Sequence, residues 1–213
     1  MQYQEFVGSP EGRARYWSRS TVGWPRFSAA RPNAAHVALA SLERAGTLGG
    51  VITQNVDGLH QAARSREVVE LHGSLARAAA CTATGAAAGT RYKERLLSLN
   101  AAWLERLRGD AATIAPYGDA DFPVHELSSF RVPGCDVCHG ALEPDVVFFG
   151  ESVPKPRVEA AWHLLEGAGL LLVVGSSLGA TTRRPPQPGG STSSRWRSTC
   201  RNWTRWLSLW GAM

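Results

Sequence analysis

The chain has 213 residues and a mass of 22.9 kDa, a length at which folding buries about 70% of the unfolded surface. It is 44% hydrophobic and 19% charged, and it holds no apolar run long enough for a membrane span. The start, MQYQEFVGSPEGR, lacks the basic and apolar regions of a signal peptide, so a cytoplasmic protein with no membrane partner is expected. The formal charge of +5 is uneven, because residues 179–213 carry six Arg, four of the eight Trp and no acid, whereas residues 1–178 carry −1. That change of composition marks a boundary after Leu178.

In chain order, the first clear element is a helix over Pro32–Gly46. Asn33 suits its N-cap and Gly46 its C-terminal end, and Val37, Leu39, Ala40 and Leu42 form an apolar stripe. Gly50–Thr53 then reads as a short buried strand that runs into the polar turn Gln54-Asn55-Val56-Asp57. A second strand, Val68–Leu71, ends at His72-Gly73, and a third, Leu170–Val174, ends at Gly175-Ser176-Ser177. Apolar strands alternating with helices predict an α/β fold whose parallel sheet is covered on both faces. Ligands bind beyond the carboxyl ends of such strands, and here all three ends carry polar or small residues. Between Cys81 and Gly140 the character changes: one amphipathic helix is predicted over Arg91–Arg108, with Tyr92, Leu96, Leu99, Trp103 and Leu107 on one face.

Four segments carry chemistry. In the first, TQNVDGLH (Thr53–His60), the amide and carboxylate groups of Gln54, Asn55 and Asp57 suit the hydroxyls and carboxamide of a nucleotide, although Asn and Asp are also ordinary turn residues. In ELHG (Glu70–Gly73), His72 is either a general base or an imidazole bonded to backbone. EPDVVFFGE (Glu143–Glu151) reads as a strand and tight turn, either buried in the ordinary way or offering an edge to an extended peptide. In VVGSSL (Val173–Leu178), small residues allow close approach of phosphate or ribose.

Among the four cysteines, Cys135-x-x-Cys138 before Gly140 has the form of a zinc knuckle. Cys81 supplies a third thiol, but Thr84 stands where a second C-x-x-C would place the fourth. Either three thiolates hold zinc in an open site or the cysteines are simply reduced. The Arg/Trp tail has the composition of a single-strand nucleic-acid binder, but a disordered, non-native tail is the preferred expectation and no nucleic-acid partner is expected.

Taken in order, TQNVDGLH, ELHG, CxxC, PDVVFFGE and VVGSSL resemble the sirtuins, NAD-dependent protein deacylases, over Tyr3–Leu178. Arg15-Tyr16-Trp17, Val22–Phe27, Pro32-Asn33 and His36 look most like the class II branch, which includes bacterial enzymes and lipoamidase-type members. The resemblance implies a Rossmann-like, doubly wound parallel sheet with a small inserted zinc-ribbon-like module. The domains would be 1–79 with 141–178 for NAD, 80–140 for zinc, and a basic tail over 179–213.

By the same resemblance, Gln54, Asn55 and Asp57 would face the nicotinamide ribose and carboxamide, and Gly175, Ser176 and Ser177 would contact NAD on its phosphate and ribose side. His72 would deprotonate a ribose hydroxyl. Val147, Phe148 and Gly150 would border the acyl-lysine channel of a protein or peptide substrate, and Cys81, Cys135 and Cys138 would hold zinc. The expected reaction transfers the acyl group to ADP-ribose and releases nicotinamide.

The family opens with a GAGxS loop and GIPDFR, and nothing like them precedes Gln2. After Gly179 the sequence leaves the family's pattern, and Arg64 stands where a Gly is usual. These departures support the alternative expectation of a truncated remnant without productive NAD binding.

Overall fold

The computed structural model describes residues 1–81, 91–109, 127–136 and 138–175. They fall into two units, Met1–Ala168 and Gly169–Met213, the second described only for residues 169–175.

Two capped helices open the first unit. In α1 (Tyr3–Gly8) the Glu5 carboxylate accepts from the Gln2 N–H at 2.9 Å, and in α2 (Pro10–Ala29) the Ser9 hydroxyl accepts from Gly12 N–H at 2.9 Å, with Pro10 at the first helical position. A Cβ on Gly12 would lie 1.9 Å from the Glu5 carbonyl oxygen. The two helices therefore meet backbone to backbone at that glycine.

The predicted helix after Pro32 is α3 (Ala34–Arg44), with Asn33 Oδ1 accepting from the N–H groups of Ala35 and His36. Gly46 sits at φ +73°, the left-handed conformation that ends helices. The apolar stripe differs from expectation. Ala40 and His36 are the buried positions, whereas Val37 and Leu42 are exposed.

The parallel layer consists of β1 (Val51–Thr53), the short α4 (Leu59–Ala62) and β2 (Val68–Glu70). β1 and β2 are parallel, in register Val51 to Val68 and Thr53 to Glu70. Next, β3 (Gly73–Cys81) follows β2 by a tight turn, and the helices α5 (Arg91–Leu99) and α6 (Ala101–Gly109) come after it. β4 (Leu142–Val146) pairs antiparallel with β3, Gly73 opposite Val146 and Cys81 opposite Leu142. Finally, α7 (Lys155–Glu166) lies against the parallel pair: a Cβ on Gly50 would lie 3.0 Å from Leu164 Cδ2.

The core is aromatic. Phe148 stacks on Phe6 (ring centroids 5.0 Å apart) and meets Tyr16 edge-on at 5.2 Å, and the contacts continue through Trp17 to Tyr92. Leu96, Trp103, Phe130, Cys135 and Leu142 complete the same cluster. α1 and α2 thus share one core with α5, α6 and the Cys135 turn. Offset and edge-on aromatic pairs of this kind each contribute about 0.5–1.5 kcal/mol beyond area burial.

Three sequence expectations are corrected. The single helix over Arg91–Arg108 is two helices that meet at Asn100, because the buried Asn100 amide binds backbone outside the helix. The strand in the PDVVFF segment ends at Val146, and the Val147 N–H bond to the His72 carbonyl is the last of its ladder with β3. Leu170–Val174 is not a strand. It lies in the second unit, where no strand occurs among the described residues.

Candidate active site

The polar turn after β1 is built by its own short-range bonds. Asn55 N–H donates to Thr53 Oγ1 at 3.1 Å, and Asp57 Oδ1 accepts from Leu59 N–H at 2.9 Å in the turn that leads into α4, with Gly58 at φ +68° supplying the bend. The Gln54 and Asn55 side chains stand exposed at the carboxyl end of β1. Asp57 is half-buried, with one carboxylate oxygen already engaged in the turn.

His72 is brought beside this turn by β2. Leu71 N–H donates to the Thr53 carbonyl at 2.9 Å, continuing the parallel pairing by one residue. The His72 ring then places Nδ1 3.1 Å from the Gln54 carbonyl oxygen. A carbonyl only accepts, so Nδ1 carries the proton and the neutral ring keeps its lone pair on Nε2. The imidazole is thus bonded to backbone through Nδ1, which leaves Nε2 as its second ring nitrogen.

On the other side, Val147 N–H donates to the His72 carbonyl at 3.0 Å. Gly150 takes φ +83°, and beyond it the chain folds back, Glu151 N–H donating to the Phe148 carbonyl at 3.1 Å and Glu151 Oε2 accepting from Phe148 N–H at 3.0 Å. Tyr3 N–H donates to the Phe149 carbonyl at 3.0 Å, part of an isolated parallel bridge between Gln2 and Phe149. Much of the edge read as open to a peptide is thus bonded within the chain. Phe148 itself points into the aromatic core, while Phe149 is 75% exposed.

Four charged residues surround the His72 turn, and the sequence reading passed over all of them. Arg77 Nε donates to Asp145 Oδ2 at 2.6 Å and its Nη2 to Glu70 Oε2 at 2.7 Å, while Arg157 on α7 pairs with Asp145 Oδ1. The available signal was Arg77 itself, a lone charge in the run SLARAAA. A cation inside an apolar strand requires an anionic partner. Also missed was a buried histidine pair, His36 and His60, with ring centroids 4.7 Å apart. Burial first, and then His36, hold His60 below the usual histidine value, with Asp57 and Glu70 acting in the opposite direction.

At the knuckle, Cys135 is buried and Cys138 half-buried. His139 N–H donates to the Cys135 carbonyl at 2.9 Å, and Cys135 N–H donates to the Gly140 carbonyl at 2.9 Å. Register places Cys81 opposite Leu142, two residues past that turn. Among the described residues no cluster of three metal-ligating side chains occurs. Gly175, exposed at φ +69°, is described only within the second unit; Ser176, Ser177, Thr84 and the tail over 179–213 lie outside the described residues.

A parallel β–α–β layer with a polar strand end is a Rossmann-like α/β architecture. The Sir2 family profile matches residues 2–182, and the chain belongs to the Sir2 family, the sirtuins. Over 178 residues it is 53% identical to NAD-dependent protein deacetylase 1 of Streptomyces coelicolor, spanning 84% of this chain and 58% of that relative. The NAD-dependent protein deacetylase of Xanthomonas campestris pv. campestris is 48% identical over 176 residues, 83% of this chain and 59% of its own length.

Among solved structures, one from work on sirtuin substrate affinity aligns with TM-score 0.61 at 31% identity, over 85% of this chain and 63% of that one. Sir2Tm bound to a propionylated peptide aligns with TM-score 0.60 at 30% identity, over 85% and 62%. The chain thus spans about three-fifths of the length of these relatives.

Proposed function

We propose that the chain carries the chemistry of an NAD-dependent protein-lysine deacylase, with the class II branch as its place in the family. Supporting the branch are Arg15-Tyr16-Trp17 and the Val22–Phe27 segment. The observation that carries the activity is His72, whose Nδ1–H is held by the Gln54 carbonyl so that Nε2 is the basic atom.

NAD, as co-substrate, supplies an anomeric carbon for attack by the acyl oxygen and nicotinamide as the leaving group. The exposed amides of Gln54 and Asn55 fit its carboxamide and hydroxyls, each offering donor and acceptor. His72 Nε2 removes a ribose hydroxyl proton. Val147 fixes the position of that base through the His72 carbonyl, and Gly150 and the exposed Phe149 border the acyl-lysine peptide. Relatives named NAD-dependent protein deacetylase, and Sir2 structures with acetylated and propionylated peptides, support an acyl-lysine substrate. The test is mass spectrometry of an acetyl-lysine peptide incubated with the protein. Loss of the acetyl group only when NAD is present is expected, and an unchanged peptide overturns the reading.

Zinc belongs to the same proposal. The closed turn over Cys135–Gly140 suits two thiolates, and Cys81 lies opposite Leu142 in register, so Cys81, Cys135 and Cys138 would hold the ion and lock the module. With Thr84 at the fourth expected position the site is open. Thr84→Cys should raise zinc content toward one per chain and raise the Tm, because a ligand bound only to the folded state stabilises it. Metal analysis and thermal melts check both, and no change in either contradicts the three-thiolate site.

A further inference from the structure

We propose that Glu70, Arg77, Asp145 and Arg157 form the device that positions His72, a role that rests on the reading of His72 as the base. Each member lies on a different element: Glu70 ends β2, Arg77 is in β3, Asp145 is in β4 and Arg157 is in the first turn of α7. Between them runs the turn that carries His72. Glu70 is two residues before His72, and Asp145 is two residues before Val147, the residue bonded to the His72 carbonyl at 3.0 Å. Arg77 joins the two carboxylates with separate nitrogens, Nη2 to Glu70 at 2.7 Å and Nε to Asp145 at 2.6 Å. Arg157 holds the other Asp145 oxygen.

Two further observations show how tightly the turn is held. Gly73 takes φ +81°, and a Cβ there would lie 2.0 Å from the Asp145 carbonyl oxygen and 2.9 Å from Arg157 Nη1. The turn backbone is therefore seated directly on the network. The Glu70 side chain is only 9% exposed although it is charged, and Arg77 is the cation that compensates it. Two carboxylates and two guanidinium groups sum to zero charge, so the network fixes the position of His72 without adding net charge beside it. The consequence falls on the ring. If β2 and β4 can shift relative to one another, the His72 carbonyl loses Val147 and the ring loses its alignment with the Gln54 carbonyl, and with it the Nδ1–H tautomer that leaves Nε2 basic.

The test uses the full chain and its variants Asp145→Asn, Arg77→Met and Arg77→Lys, with Glu70→Gln as a milder isostere should a harsher change prevent folding. Proton–nitrogen NMR, with the His72 signal assigned by its loss in His72→Gln, reads the tautomer. Nicotinamide release at saturating NAD and acetyl-lysine peptide is normalised to the folded fraction. The parent should show Nδ1–H, and Asp145→Asn, Arg77→Met and Glu70→Gln should show a mixture of tautomers.

Turnover in these variants should fall by about 10- to 100-fold while the KM for NAD stays within about twofold, the pattern of a misplaced base. Arg77→Lys, which keeps the charge but not the fork, should recover about threefold over Arg77→Met. An unchanged tautomer and unchanged turnover per folded molecule, with only the Tm lowered, overturns the positioning role. If the parent itself releases no nicotinamide, the deacylase reading fails, while the tautomer comparison still decides whether the network holds the ring.

Discussion

Lys93 is 6% exposed, with its Nζ 2.6 Å from Ser20 Oγ and over the rings of Trp24 and Trp17, at 4.6 and 5.7 Å from their centroids. Burial lowers its pKa to about 8, while the two ring faces favour the ammonium form and offset part of that cost. Because the folded value is below the unfolded one, the penalty on the folded state is full below pH 8 and is released as pH rises toward 10.5. Stability should therefore rise by about 2 kcal/mol between pH 8 and 9.5. That window lies below the titration of Tyr16 and Tyr92, whose burial pushes their values up. Lys93→Met should flatten the rise in Tm, and parallel profiles for the two proteins contradict the assignment. Gly73 is the second residue whose chemistry is dictated locally. Gly73→Ala should cost about 3 kcal/mol or more in chemical denaturation, since it meets both a left-handed φ and a carbonyl oxygen 2.0 Å away.

Asn100 sits where α5 and α6 meet. Its Nδ2 donates to the carbonyls of Leu96 and Arg131 at 2.9 and 2.8 Å, and its Oδ1 accepts from Arg131 N–H at 2.7 Å. Asn100→Leu should lengthen the helical run but strand the Arg131 backbone, costing about 1–3 kcal/mol. A variant as stable as the parent in urea would show that Asn100 contributes nothing there. The four-three-four-four spacing through Tyr92, Leu96, Leu99, Trp103 and Leu107 made a helix legible but gave no sign of the break: Leu99 is exposed and Asn100 is buried in its stead. A polar side chain whose partner lies 31 residues away leaves no periodic signal. Helix α3 was legible at both ends because Asn33 and Gly46 act locally. Its buried face was not, because burial depends on which elements pack there. Glu43 shows the same dependence: it accepts from the N–H groups of Arg66 and Glu67 at 2.8 and 2.7 Å and ties α3 to the start of β2. Those bonds, that to Glu67 first, hold its carboxyl below the usual range, so its contribution is present above the unfolded carboxylate pKa and is lost as pH falls through the lowered value. Glu43→Gln should remove that acid sensitivity from the thermal melt.

At the scale of the molecule, the motif order was enough to identify the family and the α/β class, because TQNVDGLH and ELHG fall at the ends of paired strands, where ligand chemistry belongs. The same order could not show that Phe148 packs into the core, since its partners Phe6 and Tyr16 lie more than 130 residues earlier in the chain. Nor could it show the Arg77 network, which joins residues 7 and 68 positions apart. His72 sits where the two legible strands, the polar turn and the charged network meet. The most direct measurement is nicotinamide release from NAD with an acetyl-lysine peptide, comparing the parent with His72→Ala, a change that leaves the Val147 bond to the main-chain carbonyl intact. Peptide-dependent release by the parent and a loss of about 100-fold or more in His72→Ala are expected for a positioned general base. Equal release by the two proteins contradicts it.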